Sequence, residues 1–250
     1  MKKYFVVSDI HGFYDELIKT LNEKGFDYDN PDHILISLGD LFDRGSKPLE
    51  LLKFVMALPK ERRILIRGNH EDLLEDCCEN EYFGDHDYHN GTDITVKMLA
   101  QDVYCNVNEY GLNPLEVGAM NIFSRCINHP LLVEYLNDCI DYYEIGDYIF
   151  VHSWVPLTAI GAFNPNWRNG NWEAARWGNP YALWRKKLVP HGKTIVFGHF
   201  HTSYGWAHIK NKCAEFGDDA IFDIFFEDGI IGLDACTVYS GQVNCFVFEA

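Results

Sequence analysis

Hydrophobic residues in this chain fall into short continuous runs and do not alternate with polar residues. Five runs rich in Val, Ile, Leu and Phe are each followed closely by an Asp, Asn or His: Tyr4 to Val7, Ile34 to Leu38, Ile64 to Ile66, Tyr148 to Val151 and Thr194 to Phe197. Continuous apolar runs of this length are typical of strands buried on both faces in an α/β sheet. The pattern therefore predicts an α/β fold with a polar residue at the end of each buried strand.

Helical segments separate the early strands. We predict one helix from Tyr14 to Lys24, a second that Ser46 caps and that ends at Leu58, and a third that begins near His70 or Glu71. In open α/β sheets, ligand sites form beyond the carboxyl ends of the strands. The five polar strand ends are therefore expected to converge on one site.

The last part of the chain has a different character. Three apolar runs, from Ile221 to Phe226, Ile230 to Leu233 and Val243 to Phe248, are joined by turn residues. Such a series predicts successive strands, and we expect them to form a second sheet that packs on the first. Since no linker or repeat interrupts the chain, residues 1–250 are expected to form one domain.

The net charge of −16 narrows the choice of partners. It would repel nucleic acid polymers and also anionic substrates, so a phosphate site would need a local positive charge, which bound metal ions can supply. No apolar run approaches the ~18 residues of a membrane span, and the eight cysteines contain no CxxC pair. We therefore expect a cytoplasmic protein with reduced cysteines and no membrane partner.

Two polar clusters follow the first two strands. Asp9 and His11 lie two residues apart and can reach one cation, although an ordinary surface turn would also explain such a pair. In the next cluster Asp40 can bridge two metals, Asp43 can orient a histidine, and Arg44 has the planar donor fork that suits phosphate. The structural alternative for this cluster is an Asp-Arg turn.

Three further clusters follow the later strands. Asn69 offers a neutral oxygen ligand and His70 a potential general acid, and a helix N-cap at Asn69 is compatible with both roles. His152 alone would more often be structural. His199 and His201 lie two residues apart and can face one cavity, where imidazole suits transition metals. The five clusters together predict a metal site.

The same clusters resemble the motifs of a known family. They read SDIHG, GDLFDRG, RGNHE, VHS and GHFH, and they resemble the calcineurin-like metallophosphoesterase superfamily, in particular its phosphoprotein phosphatase branch. The segments Asn90 to Thr95 and Gly232 to Asp234 resemble further motifs of bacterial members, which include Ser/Thr protein phosphatases and dinucleoside tetraphosphate hydrolases. The resemblance implies a four-layer α/β sandwich, with two mixed β-sheets flanked by helices, and a dinuclear metal centre.

The resemblance also implies a role for each candidate residue. One metal would be bound by Asp9, His11 and Asp40, the other by Asp40, Asn69, His152 and His199, and His201 matches a further ligand of the first metal in the wider superfamily. His70, paired with Asp43, would be the catalytic acid, while Arg44 and Asn69 would hold the phosphate. A second phosphate-binding arginine usually follows a tryptophan as W-x-R. Arg185 is our choice for it, although Lys186 occupies the strict spacing.

The implied reaction is hydrolysis of a phosphate monoester by water that two divalent cations activate. We expect manganese, and iron, zinc or nickel would fit the same ligands. The expected substrate is a phosphorylated protein, as for a serine/threonine phosphatase. The alternative is a small nucleotide such as diadenosine tetraphosphate, and a remoter one is a phosphate-binding scaffold without catalysis. Length and motifs do not separate the first two.

Residues 154–184 hold five of the six tryptophans. We favour packing beneath a long loop as their role over an aromatic wall that stacks a nucleobase. His86 and His89 lie in an acidic stretch from Glu75 to Asp93, where they could bind another ion, but we favour a solvated loop as the interpretation of this stretch.

Overall fold

Two β-sheets lie at the centre of the computed structural model, which describes residues 1–250. The strands are β1 (Lys3–Val7), β2 (His33–Ser37), β3 (Arg63–Leu65), β4 (Tyr142–Ile145), β5 (Tyr148–Val151), β6 (Thr194–Phe197), β7 (Phe225–Glu227), β8 (Ile230–Gly232) and β9 (Cys245–Glu249). The first sheet has the order β3-β2-β1-β9 and the second the order β4-β5-β6-β8-β7. In each sheet three strands are parallel, and the others pair antiparallel at the edges.

Both faces of the central strands are buried, which explains their uninterrupted apolar sequence. In β1, Val6 packs in the core between the two sheets, whereas Phe5 and Val7 face the helices. In β5, Phe150 packs in the same central core, while its two neighbours, Ile149 and Val151, face the helices of the second sheet. Successive residues thus serve two cores, and the architecture is a four-layer α/β sandwich, as the sequence resemblance implied.

Twelve helices form the two outer layers and the connections. They are α1 (Tyr14–Glu23), α2 (Pro48–Ala57), α3 (Asn69–Asn80), α4 (Asp85–Asn90), α5 (Thr92–Cys105), α6 (Pro114–Ala119), α7 (Ile122–Ile127), α8 (Pro130–Asp138), α9 (Trp172–Ala175), α10 (Pro180–Arg185), α11 (Thr202–His208) and α12 (Thr237–Ser240). Helices α1, α2, α3, α5, α7 and α8 supply the core on the first sheet, and α9, α10 and α11 supply that on the second.

Four expectations about the elements are wrong. Gly68, and not Asn69, is the N-cap of α3, and the stretch from Glu75 to Asp93 is largely helical, in α3, α4 and the start of α5, where a solvated loop was expected.

The late strands do not form a separate sheet: β9 pairs with β1 in the first sheet, and β8 lies beside β6 in the second. The polar strand ends therefore belong to two sheets. Ser46 does not cap α2 either, because Lys47 occupies the N-cap position and Pro48 begins the helix. Proline suits this first position because its missing N–H would have no partner there.

No helix of the structure is long and apolar enough to cross a membrane. All eight cysteines are free, and Cys77, Cys78, Cys126 and Cys245 are buried.

Candidate metal centre

The predicted residues of the two sheets meet in one cavity of about 480 Å³. The loops after β1 and β2 supply Asp9, His11, Asp40 and Arg44, the start of α3 supplies Asn69 and His70, and the loops after β6 and β8 supply His199, His201 and Asp234. His152, after β5, lies fully buried behind them. The carboxyl ends of the parallel strands in both sheets therefore open towards the same space.

The loops that carry these residues share an uncommon backbone conformation. Six of the ten non-glycine residues with positive φ are predicted site residues: Asp9, His11, Asp40, Asp43, Arg44 and His199. This left-handed conformation is sterically unfavourable for side chains with a Cβ, and it is concentrated at functional sites where the surrounding structure enforces it. At these strand ends it turns the chain sharply, so that successive polar side chains reach one cavity.

Four potential ligand atoms form the tighter half of the site. The oxygen Asn69 Oδ1 lies 2.8 Å from His152 Nε2 and 2.8 Å from His199 Nδ1, and these two nitrogens are 3.2 Å apart. Asp40 Oδ1 lies 3.5 Å from His152 Nε2. Ligands held about 2.0–2.2 Å from one cation are separated by roughly 2.8–3.6 Å. The spacing of these four atoms therefore fits a single metal ion.

The second half of the site is wider and shares Asp40. Asp40 Oδ2 lies 3.7 Å from His11 Nε2 and 3.9 Å from His70 Nε2. Asp40 thus directs one carboxylate oxygen to each half, which is the arrangement of a bridging ligand. Asp9 lines the same cavity, and its Oδ2 accepts hydrogen bonds from Ser8 Oγ and, at 2.8 Å, from the backbone N–H of His199.

Backbone carbonyls orient two of the histidines. His11 Nδ1 donates to Phe42 O at 2.8 Å, and His152 Nδ1 donates to Leu38 O at 2.7 Å. A neutral imidazole that donates through one nitrogen keeps a lone pair on the other, so Nε2 of each ring is free to bind a cation.

Burial sets the pKa values of the site. It raises the pKa of Asp9 to about 6, with a further rise from Asp40, and it raises the pKa of Asp40 to about 7. Burial and then the neighbouring His152 lower the pKa of His199 to about 3, and burial lowers the pKa of His11 far below its usual value. Crowded carboxylates next to neutral imidazoles would be stabilised by a cation. The residues present therefore fit a centre of divalent metal ions.

His70 and Asp43 form a buried pair beside this centre. His70 Nδ1 donates to Asp43 Oδ2 at 2.7 Å, and the hydroxyls of Thr92 and Thr95 donate to the same carboxylate at 2.9 and 3.1 Å. Burial lowers the pKa of His70, but the carboxylates of Asp40 and Asp43 outweigh it and raise the pKa to about 9. The segment from Asn90 to Thr95, which resembles a motif of bacterial members, thus holds the carboxylate of Asp43 in place.

Arg44 is exposed at the mouth of the cavity, and its Nη2 lies 3.5 Å from His70 Nε2. Its backbone N–H donates to the carbonyl of Asn90 at 2.7 Å, so the last residue of α4 also positions this arginine. Arg44 lines the same cavity as the ligand atoms.

Glu71 is a functional residue whose role the sequence did not reveal. Its fully buried carboxylate accepts hydrogen bonds from the backbone N–H groups of Asp40, Leu41 and Gly68 at 2.8–3.0 Å, and from the hydroxyl of Tyr135 at 3.0 Å. The loop after β2 is thereby fixed to the start of α3. The only available signal was the position of Glu71 in the first helical turn, where acidic residues are favoured anyway.

Two glycines allow the loops to approach each other. A Cβ on Gly198 would lie 1.7 Å from Ser8 Oγ and 2.1 Å from Asp9 Oδ2, and one on Gly68 would lie 2.2 Å from Asp40 Oδ1. A side chain at position 198 would displace the carboxylate of Asp9, and one at position 68 would displace both the carboxylate and the backbone of Asp40. Asp234 was known only from a motif resemblance. It lies in the cavity wall, where burial and then the nearby Asp9 raise its pKa to about 8.

The structure does not place Arg185 at the phosphate site, where the sequence analysis had expected it. Arg185 lines a different cavity, together with Asp147, Thr194 and Gly229 at the opposite ends of the strands, and its Nη2 donates to His208 O. Lys186 does not line the metal cavity either. Arg185 is the last residue of α10, and it lies near the strand ends opposite to those that carry the ligands.

His201 lines the cavity, but both of its ring nitrogens face other groups. Nδ1 lies 2.8 Å from Ser203 Oγ, and Nε2 lies 3.3 Å from Glu215 Oε1. It is absent from both groups of ligand atoms described above. The geometry therefore does not support His201 as a metal ligand.

Comparison with known proteins agrees with this geometry. The model of the calcineurin-like phosphoesterase family matches residues 2–232. The asymmetrical bis(5'-nucleosyl)-tetraphosphatase of Halalkalibacterium halodurans is 35% identical over 79 residues, which cover 29% of this chain and 32% of the relative. The matched segment thus spans about a third of the relative's length.

Solved structures support the fold alone. A cold-active protein tyrosine phosphatase superposes with a TM-score of 0.56 at 18% identity, over 100% of this chain and 74% of its own. A protein serine/threonine phosphatase from Saccharomyces cerevisiae superposes with a TM-score of 0.51 at 17% identity, over 100% of this chain and 80% of its own.

Proposed function

Because the chain belongs to the calcineurin-like phosphoesterase family, we propose that it is a metal-dependent phosphohydrolase. The observation that carries this proposal is the bridging position of the Asp40 carboxylate. One of its oxygens lies 3.5 Å from His152 Nε2, and the other lies 3.7 Å from His11 Nε2. We further propose that residues 1–250 act as one catalytic domain, since β9 near the chain end completes the sheet that β1 begins.

The chain's residues divide into three tasks. Asp9, His11 and Asp40 would hold one cation, and Asp40, Asn69, His152 and His199 would hold the other. Two divalent cations there would lower the pKa of a nearby water and offset the negative charge of the phosphoryl oxygens. We propose manganese for both positions, because mixed oxygen and imidazole ligands suit it; iron, zinc and nickel fit the same donors.

The remaining two tasks are phosphate binding and proton donation. Arg44 binds the phosphate from the open side of the cavity, since its guanidinium can donate two parallel hydrogen bonds. Asn69 presents its amide at the same wall and can contribute a further donor through its nitrogen. His70 donates a proton from Nε2 to the departing oxygen, and Asp43 keeps the ring in the orientation that places the proton there.

Two substrate classes are compatible with this centre. A phosphorylated protein is the first, and a dinucleoside polyphosphate is the second. The second is favoured by a specific observation, because the mouth of the cavity carries an exposed tryptophan, Trp177, beside the metal ligands. The relative from H. halodurans carries the name of a tetraphosphatase, but it matches too short a segment to decide the substrate.

One assay tests both levels of the proposal. Protein supplied with Mn²⁺ is given a phosphoserine/phosphothreonine peptide or diadenosine tetraphosphate, and the products are separated by chromatography. A hundredfold preference in kcat/KM corresponds to about 2.7 kcal/mol of transition-state binding and would identify the substrate class. A protein that binds no metal and hydrolyses neither substrate with added Mn²⁺ would instead be a phosphate-binding scaffold, and the proposal would be wrong.

A further inference from the structure

We propose that Trp177 is a stacking surface for a nucleobase of the substrate. This inference rests on the proposed phosphohydrolase function and names the class of molecule that the same site takes, namely a nucleotide. Four observations support it: the exposure of this tryptophan, the attachment of its backbone, its position against a metal ligand, and a second groove that begins at Arg44.

Trp177 differs from the other tryptophans of residues 154–184. Trp154, Trp167 and Trp172 are buried in the core of the second sheet, and Trp184 packs against that core. These four fulfil the packing role that the sequence favoured. Trp177 is 52% exposed and lines the metal cavity instead. A large exposed aromatic side chain at the mouth of a polar cavity gains little from packing, so its role lies in what it presents to the cavity.

The backbone on both sides of Trp177 is firmly attached. The buried guanidinium of Arg176 donates to Asp72 at 2.7 Å and to Asp141 at 2.6 Å. On the other side, Ser153 Oγ donates to Gly178 O at 2.6 Å. Asp72 lies in α3, the helix that begins at the ligand Asn69. The indole is therefore presented from a fixed position relative to the metal centre, which lowers the entropy cost of stacking a ligand on it.

The ring stands edge-on to a metal ligand. The centroids of Trp177 and His199 are 6.2 Å apart, with an angle of 82° between the planes. A molecule whose phosphate lies at the metal ligands and Arg44 would place its next atoms beside this indole. The net charge of −16 repels the phosphates of a ligand. Stacking of a neutral base on the neutral indole is not subject to this repulsion.

The site continues from Arg44 into a second groove. Arg44 and Asn90 line the metal cavity and also an adjoining groove of about 420 Å³, whose wall includes the exposed side chains of Tyr88, Ile94 and Val238. The phosphate-binding arginine is therefore shared by a cavity that contains Trp177 and a groove that contains Tyr88. This layout matches a molecule with a polyphosphate chain between two bases better than it matches one phosphorylated side chain of a protein.

The test compares two ligands that share a phosphate and a sugar but differ in the base. AMP and ribose 5-phosphate are titrated into Mn²⁺-loaded protein by calorimetry. Stacking of one base on an aromatic side chain contributes about 1–3 kcal/mol, so the wild-type protein should bind AMP about 5- to 150-fold more tightly than ribose 5-phosphate. The ratio should fall to near one in Trp177→Ala and persist in Trp177→Phe.

The matched control is Phe226→Ala, since Phe226 is 49% exposed on β7 and does not line the metal cavity. This variant should keep the wild-type ratio. Equal affinity of the wild-type protein for AMP and ribose 5-phosphate, or an unchanged ratio in Trp177→Ala, would overturn the assignment. A ratio near one in the wild-type protein, together with weaker phosphopeptide binding in Trp177→Ala, would assign the surface to peptides and also overturn it.

A kinetic measurement separates failure of this inference from failure of the proposed function. Tripolyphosphate has the same bond class as a dinucleoside polyphosphate but no base. If the Mn²⁺-loaded protein hydrolyses neither tripolyphosphate, diadenosine tetraphosphate nor phosphopeptide, the phosphohydrolase proposal fails, while the AMP to ribose 5-phosphate ratio still decides the role of Trp177.

Discussion

The buried carboxylate of Glu71 should be required for both the stability of the chain and its affinity for metal. Replacement by glutamine keeps the shape of the side chain but turns one acceptor oxygen into an NH₂ donor. Each Glu71 oxygen accepts from at least one backbone N–H, because Asp40 and Gly68 donate to Oε2 and Leu41 donates to Oε1. Either orientation of the amide therefore opposes a buried N–H.

The magnitude follows from those contacts. One unsatisfied buried N–H costs about 1–3 kcal/mol, and the loss of charge weakens each of about two remaining hydrogen bonds by roughly 1 kcal/mol. We expect Glu71→Gln to lower the free energy of unfolding by about 3–5 kcal/mol, and the affinity for Mn²⁺ by about 10- to 100-fold. The second effect is expected because Glu71 fixes the backbone of Asp40, which has a φ of 55°.

The assay is urea unfolding of metal-free protein, followed by Mn²⁺ titration under native conditions. Tyr135→Phe is the matched control, since it removes one neutral donor to the same carboxylate at 3.0 Å and should cost about 1 kcal/mol. If Glu71→Gln unfolds within 1 kcal/mol of the wild-type free energy, or no more easily than Tyr135→Phe, the carboxylate does not hold the loop as described.

Three further predictions concern the site and the acid stability of the chain. His70→Asn should lower kcat by about 10²- to 10⁴-fold while metal analysis finds the wild-type content; full activity would refute its role as the acid. Arg44→Ala should lower kcat/KM for any phosphate substrate by about 10-fold or more, roughly the value of one charge-assisted hydrogen bond. Arg185→Ala should leave kcat/KM unchanged, because Arg185 lies at the opposite ends of the strands. Equal effects of the two substitutions would contradict this placement. Burial raises the pKa of Asp102, but hydrogen bonds, first that from Lys53, outweigh it and leave the pKa below its usual value. The stability that this carboxylate contributes is therefore complete above its unfolded pKa of about 3.9 and is lost as the pH falls through the lower folded pKa. Urea midpoints measured across this pH range should therefore depend less on pH in Asp102→Asn than in the wild-type protein. Equal slopes of midpoint against pH in both proteins would argue against the linkage.

The sequence by itself determined the strands and the candidate ligands at their ends. The runs at β1, β2, β5 and β6 were recognisable because both faces of these strands are buried, so each strand is apolar throughout, and a polar residue after such a run marks its exit from the core. The helix starts were less certain. Ser46 has the local chemistry of a cap, but Pro48 restricts the start of α2 and leaves the cap position to Lys47.

Only the tertiary structure decided which strands are neighbours and which side chains share a cavity. The pairing of β1 with β9 joins the two ends of the chain, and no local pattern encodes a partner so distant in sequence. The same limitation separates Arg185 from Arg44: both were chosen by their place near a motif, but position along the chain does not fix which end of the strands a short helix such as α10 reaches. Glu71 and Trp177 complete the contrast, because hydrogen bonding across loops and exposure at a cavity mouth arise only when distant segments meet. The chain therefore encodes its chemistry locally in the order of its motifs, whereas the contacts between loops determine which of those residues can act together.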